Sequence, residues 1–157
     1  MIHFTIHIEI ARTPQEVFAY LADLENTPQW NPAIVRTRKA SPGDTRVGTR
    51  YAQERSSPRP ESESLTVAEF DPERRLTVVG HLASMPARVS YVLSPTDSGT
   101  SLTNTVELDP PGARGLVGRA FSRQISASVA ENLGRLKARL EANAVVGGGA
   151  QSRRAVC

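Results

Sequence analysis

The sequence predicts an α+β fold in which a seven-stranded curved antiparallel sheet wraps around one long C-terminal helix, with two short helices after the first strand. Three observations predict it. Apolar residues recur at steps of three and four over residues 115–142, the period of an amphipathic helix about 40 Å long. Upstream, residues 33–108 follow a period of two that turn residues interrupt at regular intervals. The chain itself opens on one alternating segment that two helix-start signals follow.

The N-terminal part predicts a strand and two short helices. Residues 4–10 alternate strictly between apolar and polar side chains, which is typical of a half-buried strand. A capping box with Thr13 as N-cap and Glu16 as its partner then starts a helix, and proline occupies its first position. A second start signal follows at Asn26. That helix ends before Pro32, because proline disfavours helical conformation in the preceding residue.

The middle of the chain predicts an antiparallel meander of six strands. Its breaks are rich in Pro, Gly, Ser and Asp, which preset or permit the dihedral angles of turns. They fall at residues 41–44, 57–60, 71–74, 84–86 and 94–99. The strands between and around them are predicted at residues 34–40, 48–55, 63–70, 76–82, 87–93 and 100–108.

Polar side chains interrupt two of the predicted inward faces. The apolar stripe of the long helix includes Phe121 and Ile125, and a helical wheel places Ser122 and Asn132 inside it. Ser122 either faces the interior freely or bonds back to a carbonyl one turn earlier. A buried amide at Asn132 needs a partner, a water or a ligand, because leaving it unsatisfied costs about 1–3 kcal/mol. Asn104 similarly falls on the apolar face of the last strand.

The composition sets the size of the protein. With 157 residues, of which 39% are hydrophobic, the chain is long enough to bury one core and too short for two ordinary domains. We place this domain at residues 1–142. Residues 143–157 combine small, glycine-rich and polar positions that cannot bury enough apolar surface to order themselves, so we expect a flexible tail there.

Several partners and locations are disfavoured. No run approaches the roughly 20 apolar residues of a membrane span, and the start lacks the order of a signal peptide. We therefore expect a cytoplasmic protein with no integral membrane segment. The net charge of +3 is spread along the chain and only 5% of residues are aromatic, so we expect no nucleic-acid partner. Cys157 is the only cysteine, which excludes a disulfide framework.

Few residues point to catalysis or metal binding. No His, Cys or carboxylate spacing typical of a metal site occurs, and no phosphate- or dinucleotide-binding motif, so we expect no metal and no cofactor. Of the histidines only His81 lies in the middle of a predicted strand, and its direction is open. Arg36 and Arg38 share a predicted face with Ile34. Either that face is exposed to solvent, or an arginine points inward to hold an anionic or carbonyl group.

Several short motifs follow one another along the chain. They are Ile10 to Asp23 with its capping box, Trp30-Asn31-Pro32, Val47-Gly48-Thr49-Arg50-Tyr51, Val67-Ala68-Glu69-Phe70-Asp71-Pro72, Gly99-Thr100 and Leu133-Gly134-Arg135-Leu136-Lys137. In this order they resemble the START/Bet v 1-like (SRPBCC) superfamily and, within it, the polyketide cyclase/dehydrase group of bacterial proteins. The resemblance covers residues 2 to about 142 and implies the helix-grip fold.

The resemblance also implies an apolar cavity between the sheet and the long helix, closed at one end by the two short helices, where small hydrophobic ligands bind. Small or polar inward residues such as Ala52 and Gly80 would leave room for it. The alternative is a filled core with water on its few polar atoms. We predict ligand contacts at the inward polar and aromatic positions, which are Trp30, Tyr51, Asn104, Phe121, Ser122, Ile125 and Asn132. For Tyr51 and Trp30, a role in packing is an equally good alternative to a ligand contact.

Three function classes stay open. The first is a carrier or sensor that binds a polyketide-, lipid- or quinone-like molecule. The second is a cofactor-independent polyketide cyclase, aromatase or dehydratase, in which Tyr51, Asn104 and Asn132 would polarise a carbonyl. The third is a protein-interaction module like the co-chaperone branch of the superfamily. The superfamily has no common catalytic motif, so no catalytic residue is carried over, and both a monomer and a homodimer fit the sequence.

Overall fold

The computed structural model describes residues 1–112 and 116–155, and the side chains of residues 1–112 and 118–142. Two helices and a 3₁₀ helix accompany seven strands. In chain order the elements are β1 (Ile2–Ile10), α1 (Pro14–Ala22), the 3₁₀ helix (Leu24–Gln29), β2 (Ile34–Lys39), β3 (Arg50–Arg55), β4 (Glu61–Asp71), β5 (Arg75–Leu82), β6 (Met85–Thr96), β7 (Gly99–Leu108) and α2 (Leu116–Ala155).

All seven strands belong to one antiparallel sheet. The strand order is β1-β7-β6-β5-β4-β3-β2, so β2 to β7 form an uninterrupted meander and β1 closes against β7. Ile6 of β1 lies opposite Asn104 of β7, and Asn104 in turn lies opposite Tyr91 of β6. The predicted fold class, with its seven-stranded sheet, two short helices and long C-terminal helix, is confirmed.

The start of α1 is built as the sequence predicts. The backbone N–H of Glu16 donates to the Thr13 hydroxyl at 3.3 Å, and the Thr13 N–H donates to the Glu16 carboxylate at 3.0 Å. The next helix begins earlier than predicted. It starts at Leu24 because the Asp23 carboxylate accepts from the Glu25 N–H at 3.3 Å and caps the turn there.

The core lies on the concave face of the sheet, where α2 packs. Leu133, Leu136 and Leu140 of α2 are almost completely buried against it. Along the same segment of α2, Glu141 accepts from the backbone N–H of Ala11 at 3.0 Å, and Lys137 donates to the Glu9 carbonyl. These two bonds attach the helix to the end of β1.

Several predicted boundaries differ from those of the structure. The backbone of α2 stays helical to Ala155, whereas the predicted helix ended at residue 142, so the domain boundary there stays a prediction. The predicted breaks at 84–86 and 94–99 are two-residue turns, because Leu82 pairs with Met85 and Thr96 with Gly99. Within the described residues, no helix combines the length and apolarity that a membrane crossing needs.

A β-bulge reverses the side chains of β2. The pairing with β3 shifts between Ile34 and Arg36, so Ile34 is buried while Arg36 and Arg38 are exposed. The predicted common face of these residues was wrong, because one extra residue in a strand turns the side chains after it to the opposite side. Thr37 points inward instead.

Two further side chains lie on the solvent side of the sheet. Ala52 is exposed, so it does not leave the room inside that was predicted for it. His81 is exposed as well, which settles its direction. Both follow from the alternation of their strands, since Tyr51 next to Ala52 is buried and Gly80 next to His81 faces the interior.

Candidate functional site

A cavity of about 440 Å³ lies between the concave face of the sheet, the two short helices and α2. This size lies within the range of small-molecule sites in proteins. Its wall is mostly apolar. The apolar residues come from every layer around it, and they include Leu21, Leu24, Leu65, Val78, Leu82, Val89, Val106, Leu108, Val129 and Leu133.

The structure brings five of the seven predicted ligand contacts to this cavity. Trp30 lies at its lid, Asn104 lies on β7, and Phe121, Ile125 and Asn132 lie on α2. Asn132 is half-buried, and its side-chain oxygen accepts from Arg135 at 2.9 Å. It therefore faces the cavity with one part of its amide already engaged. The ligand-binding role of these residues stays a prediction.

Tyr51 and Ser122 do not line the cavity. The Tyr51 ring is buried in the core, and its hydroxyl shares a hydrogen bond of 2.8 Å with the Thr45 hydroxyl. Tyr51 thus has the packing role that was its alternative. Ser122 is half-buried beside the lining stripe of α2, which runs from Phe121 to Leu133 in alternating steps of three and one. The predicted apolar sector of this helix was too wide.

Tyr91 and Asn104 form a polar pair at the inner end of the cavity. They lie directly opposite each other on β6 and β7, and both line the wall. Asn104 is 1% exposed, and its amide nitrogen donates to the Ser90 carbonyl at 3.2 Å. Burial raises the pKa of Tyr91 above its ordinary value, so the phenol stays neutral at physiological pH.

Tyr91 was not among the predicted ligand contacts, although the signal was present. The predicted strand 87–93 places residue 91 on the same face as Ala87 and Val89, which line the cavity too. What alternation could not show is that Tyr91 borders the open volume, whereas Tyr51 is buried in the packed core.

A buried ion pair borders the other end of the cavity. Arg55 and Glu63 approach to 2.6 Å, and the Glu63 side chain is 1% exposed. Glu63 also accepts from the Gln53 amide at 2.7 Å and from the backbone N–H of Ala83 at 2.7 Å. The Gln53 oxygen accepts from the hydroxyl of Thr37 at 3.2 Å. Every charge in this network is therefore matched by a partner of opposite charge or by hydrogen bonds.

The register of the strands separates the two polar ends. Between them, Val78 pairs with Val89 and Val89 with Val106, while Gly80 pairs with Ala87. These inward-facing positions line the cavity, so its middle is apolar. The site is therefore a hydrophobic slot with one neutral polar end and one charged end.

Exposed residues mark the opening of the slot. Ser57 and Pro58 after β3 are exposed, as are Gln124 and Ser128 on α2, and all four contribute to the cavity wall. They place the opening between the β3–β4 connection and α2. In the part of the chain that the structure describes, no group of three or more His, Cys, Asp or Glu residues could hold a metal ion.

Comparisons with known proteins agree with this architecture. The model of the family described as "Polyketide cyclase / dehydrase and lipid transport" matches residues 1–141. A search of curated proteins found no match. The chain resembles the solved structure of TTHA0849 from Thermus thermophilus, with a TM-score of 0.73 and 19% identity over 90% of this chain and 98% of that one.

Two further solved structures share the fold. A START superfamily protein from Mycobacterium smegmatis has a TM-score of 0.73 and 14% identity, over 88% of this chain and 97% of that one. The di-domain ARO/CYC StfQ from the steffimycin biosynthetic pathway has a TM-score of 0.72 and 17% identity. That match covers 91% of this chain and 51% of StfQ. At these identities the likeness concerns the fold.

Proposed function

Since the chain belongs to the polyketide cyclase/dehydrase and lipid transport family, we propose that it binds a small hydrophobic molecule in the cavity between the sheet and α2, as a carrier or sensor. The ligand class is polyketide-, lipid- or quinone-like. The observation that carries this proposal is the cavity itself, a largely apolar volume of about 440 Å³ with few polar groups on its wall. Binding is favourable because a hydrophobic ligand replaces water at the apolar wall, and the few polar groups on the wall orient that ligand.

The first experiment looks for the ligand directly. Native mass spectrometry of the freshly purified full chain should show a bound small molecule that denaturation releases. In parallel, anilinonaphthalene sulfonate should gain fluorescence on binding to the protein, and hydrophobic competitors should displace it. Failure of both the mass measurement and the dye would contradict ligand binding in the cavity.

A matched pair of variants places the binding in the cavity. Ala87 lines the wall, whereas Ala52 lies exposed on the opposite side of the sheet. Ala87→Phe adds a ring to the open volume and should weaken dye binding by at least tenfold. Ala52→Phe adds the same ring to the outer surface and should leave binding unchanged. Equal effects of the two substitutions would indicate that the dye binds outside the cavity.

A second candidate function is a cyclase or dehydratase that acts on a ligand in the same cavity. It is favoured by the family description and by a neutral phenol, Tyr91, that lines an apolar wall and is suited to donate to a carbonyl oxygen. An enzyme of this kind would close a ring of a poly-β-ketone by aldol addition and release water. Mass spectrometry of a linear poly-β-ketone incubated with the protein would detect that loss, and an unchanged substrate would leave the carrier as the better proposal.

A further inference from the structure

The amide of Asn104 has a fixed orientation. Its nitrogen faces the carbonyl oxygen of Ser90 at 3.2 Å, and a carbonyl oxygen accepts hydrogen bonds only. The atom next to Ser90 must therefore be the nitrogen, which leaves the Oδ1 atom on the other branch of the amide. Among the residues that the structure describes, no donor bonds to this oxygen, although Asn104 is 1% exposed. Asn104 thus offers one hydrogen-bond acceptor at the cavity wall.

The hydroxyl of Tyr91 is the second group at this end. The two residues are directly paired across β6 and β7, so their Cβ atoms lie about 4.5–5.5 Å apart on the same face. Within the described residues the Tyr91 hydroxyl bonds neither to Asn104 nor to another side chain, and it lines the same cavity. A phenol donates one hydrogen bond and accepts others. The pair therefore places one acceptor and one donor on the same face of the sheet and at the same cavity.

From this pairing we infer that Tyr91 and Asn104 bind a hydroxyl group of the ligand, as found in a phenol or an alcohol. The ligand O–H donates to Asn104 Oδ1, and the ligand oxygen accepts from the Tyr91 hydroxyl. This inference rests on the proposed function and names the chemical group that the same cavity recognises. It makes the pair a specificity determinant for hydroxylated hydrophobic molecules.

Other oxygen-bearing groups fit the pair less well. A ketone or an ether accepts from Tyr91 but has no proton for Asn104, so it leaves a buried acceptor unpaired. A carboxylate meets the same acceptor oxygen and finds no cation here, since Arg55 lies at the other end of the slot and is already paired with Glu63. A site that hydrogen-bonds a substrate hydroxyl rejects the analogue that lacks it.

Asn132 provides the contrast within the same cavity. Its oxygen already accepts from Arg135 at 2.9 Å, and the residue is half-buried. It therefore differs from Asn104, whose oxygen has no donor among the residues that the structure describes.

The test uses two probes of nearly the same shape, 2-naphthol and 2-methoxynaphthalene. Each competes with anilinonaphthalene sulfonate for the full-length protein, and the ratio of their dissociation constants is the readout. The native protein should bind 2-naphthol about tenfold more tightly than the ether. Tyr91→Phe and Asn104→Leu should each bring this ratio to within about threefold of unity, whereas Ala52→Leu on the outer side of the sheet should keep it. Tyr91→Phe removes a single oxygen atom, so the test stays decisive if Asn104→Leu does not fold.

The possible failures are distinguishable. If both probes bind with equal affinity, or if the ratio survives in Tyr91→Phe, the hydroxyl inference is overturned while ligand binding in the cavity stands. If neither probe displaces the dye and native mass spectrometry finds no bound molecule, the proposed function is overturned and the inference falls with it.

Discussion

Replacing Leu136 by alanine should destabilise the protein more than replacing Leu133, although both side chains are almost completely buried, at 0% and 1% exposure. The two sites differ in their surroundings, because Leu133 lines the cavity and Leu136 does not. Each substitution removes three carbon atoms, worth about 2.4 kcal/mol at about 0.8 kcal/mol per methylene. At Leu136 the substitution also opens a new closed void, and about 60–80 Å³ at about 24 cal/mol per Å³ adds roughly 1.5–2 kcal/mol.

The expected losses are therefore about 4 kcal/mol for Leu136→Ala and about 2.5 kcal/mol for Leu133→Ala. At Leu133 the void joins volume that is already open, and that side chain has fewer packing partners to lose. Urea denaturation with comparison of the transition slopes measures both losses. Deletion of residues 145–157 serves as the control and should change the free energy of unfolding by less than about 0.5 kcal/mol, the range of surface changes. Equal losses at the two leucines, or a larger loss at Leu133, would refute this account of the cavity.

The remaining predictions concern charge and local opening. Glu63→Ala should cost about 3–5 kcal/mol because it leaves Arg55 buried without its partner. The double variant Glu63→Leu/Arg55→Met should recover the part of this loss that the unpaired charge causes, although Gln53 and the Ala83 N–H still lack their acceptor, and no recovery in urea denaturation would contradict the pairing. The hydrogen bond from the Ala11 N–H and, to a smaller extent, the one from Lys137 hold the pKa of Glu141 below its ordinary value. The ionised Glu141 therefore stabilises the folded protein above about pH 4.3, the ordinary pKa of the group, and this stabilisation is lost as the pH falls through the lower pKa of the folded state. The difference in unfolding free energy between the native protein and Glu141→Gln should accordingly shrink in acid, and a difference that stays constant with pH would count against it. Hydrogen exchange should find residues 14–30 less protected than the buried part of α2 and more protected once ligand is bound; equal protection with no ligand effect would argue against a lid.

Local signals were sufficient for most of the fold. The capping box of Thr13 and Glu16 and the regular alternation of the strands are properties of neighbouring residues, and the structure realises them within a few positions. The bulge after Ile34 was not predictable in this way, because it depends on pairing with β3. The face that Arg36 was predicted to share with Ile34 was therefore wrong, whereas the solvent-exposed direction of Arg36 was one of the two alternatives left open.

The turn between β5 and β6 shows the same limit. Ala83 and Ser84 both adopt positive φ angles, at 50° and 66°, where glycine, asparagine and aspartate are the usual residues. Contacts from residues distant in sequence hold the turn in this conformation. Glu63 accepts from the Ala83 N–H at 2.7 Å, and Arg59 donates to the Ser84 hydroxyl at 2.9 Å. The residues next to the turn in sequence do not indicate these bonds, so the turn between β5 and β6 was predicted one to two residues too late.

The site was less predictable than the fold for a related reason. Alternation assigns a side chain to the inner face, but Tyr51 and Tyr91 share that face and only Tyr91 lines the cavity. Which inward residues border open volume depends on how closely α2 approaches the sheet at each level. That distance is set by packing between elements far apart in sequence, so neither the loss of Tyr51 from the site nor the gain of Tyr91 followed from periodicity.

The helix α2 itself explains why a cavity remains. Its fully buried leucines, 133, 136 and 140, all lie toward one end of the packed segment, whereas Phe121, Ile125 and Val129 before them are only partly buried. The helix is thus packed more closely against the sheet around these leucines than along residues 121–129, and the open volume lies along that earlier part. A ligand there would supply the packing that the protein lacks, and at a concentration of about 100 times its dissociation constant it would add about 2.7 kcal/mol of stability. Because that gain arises where the helix is less closely packed, protection from hydrogen exchange on ligand binding should rise more at residues 121–129 than at residues 133–140.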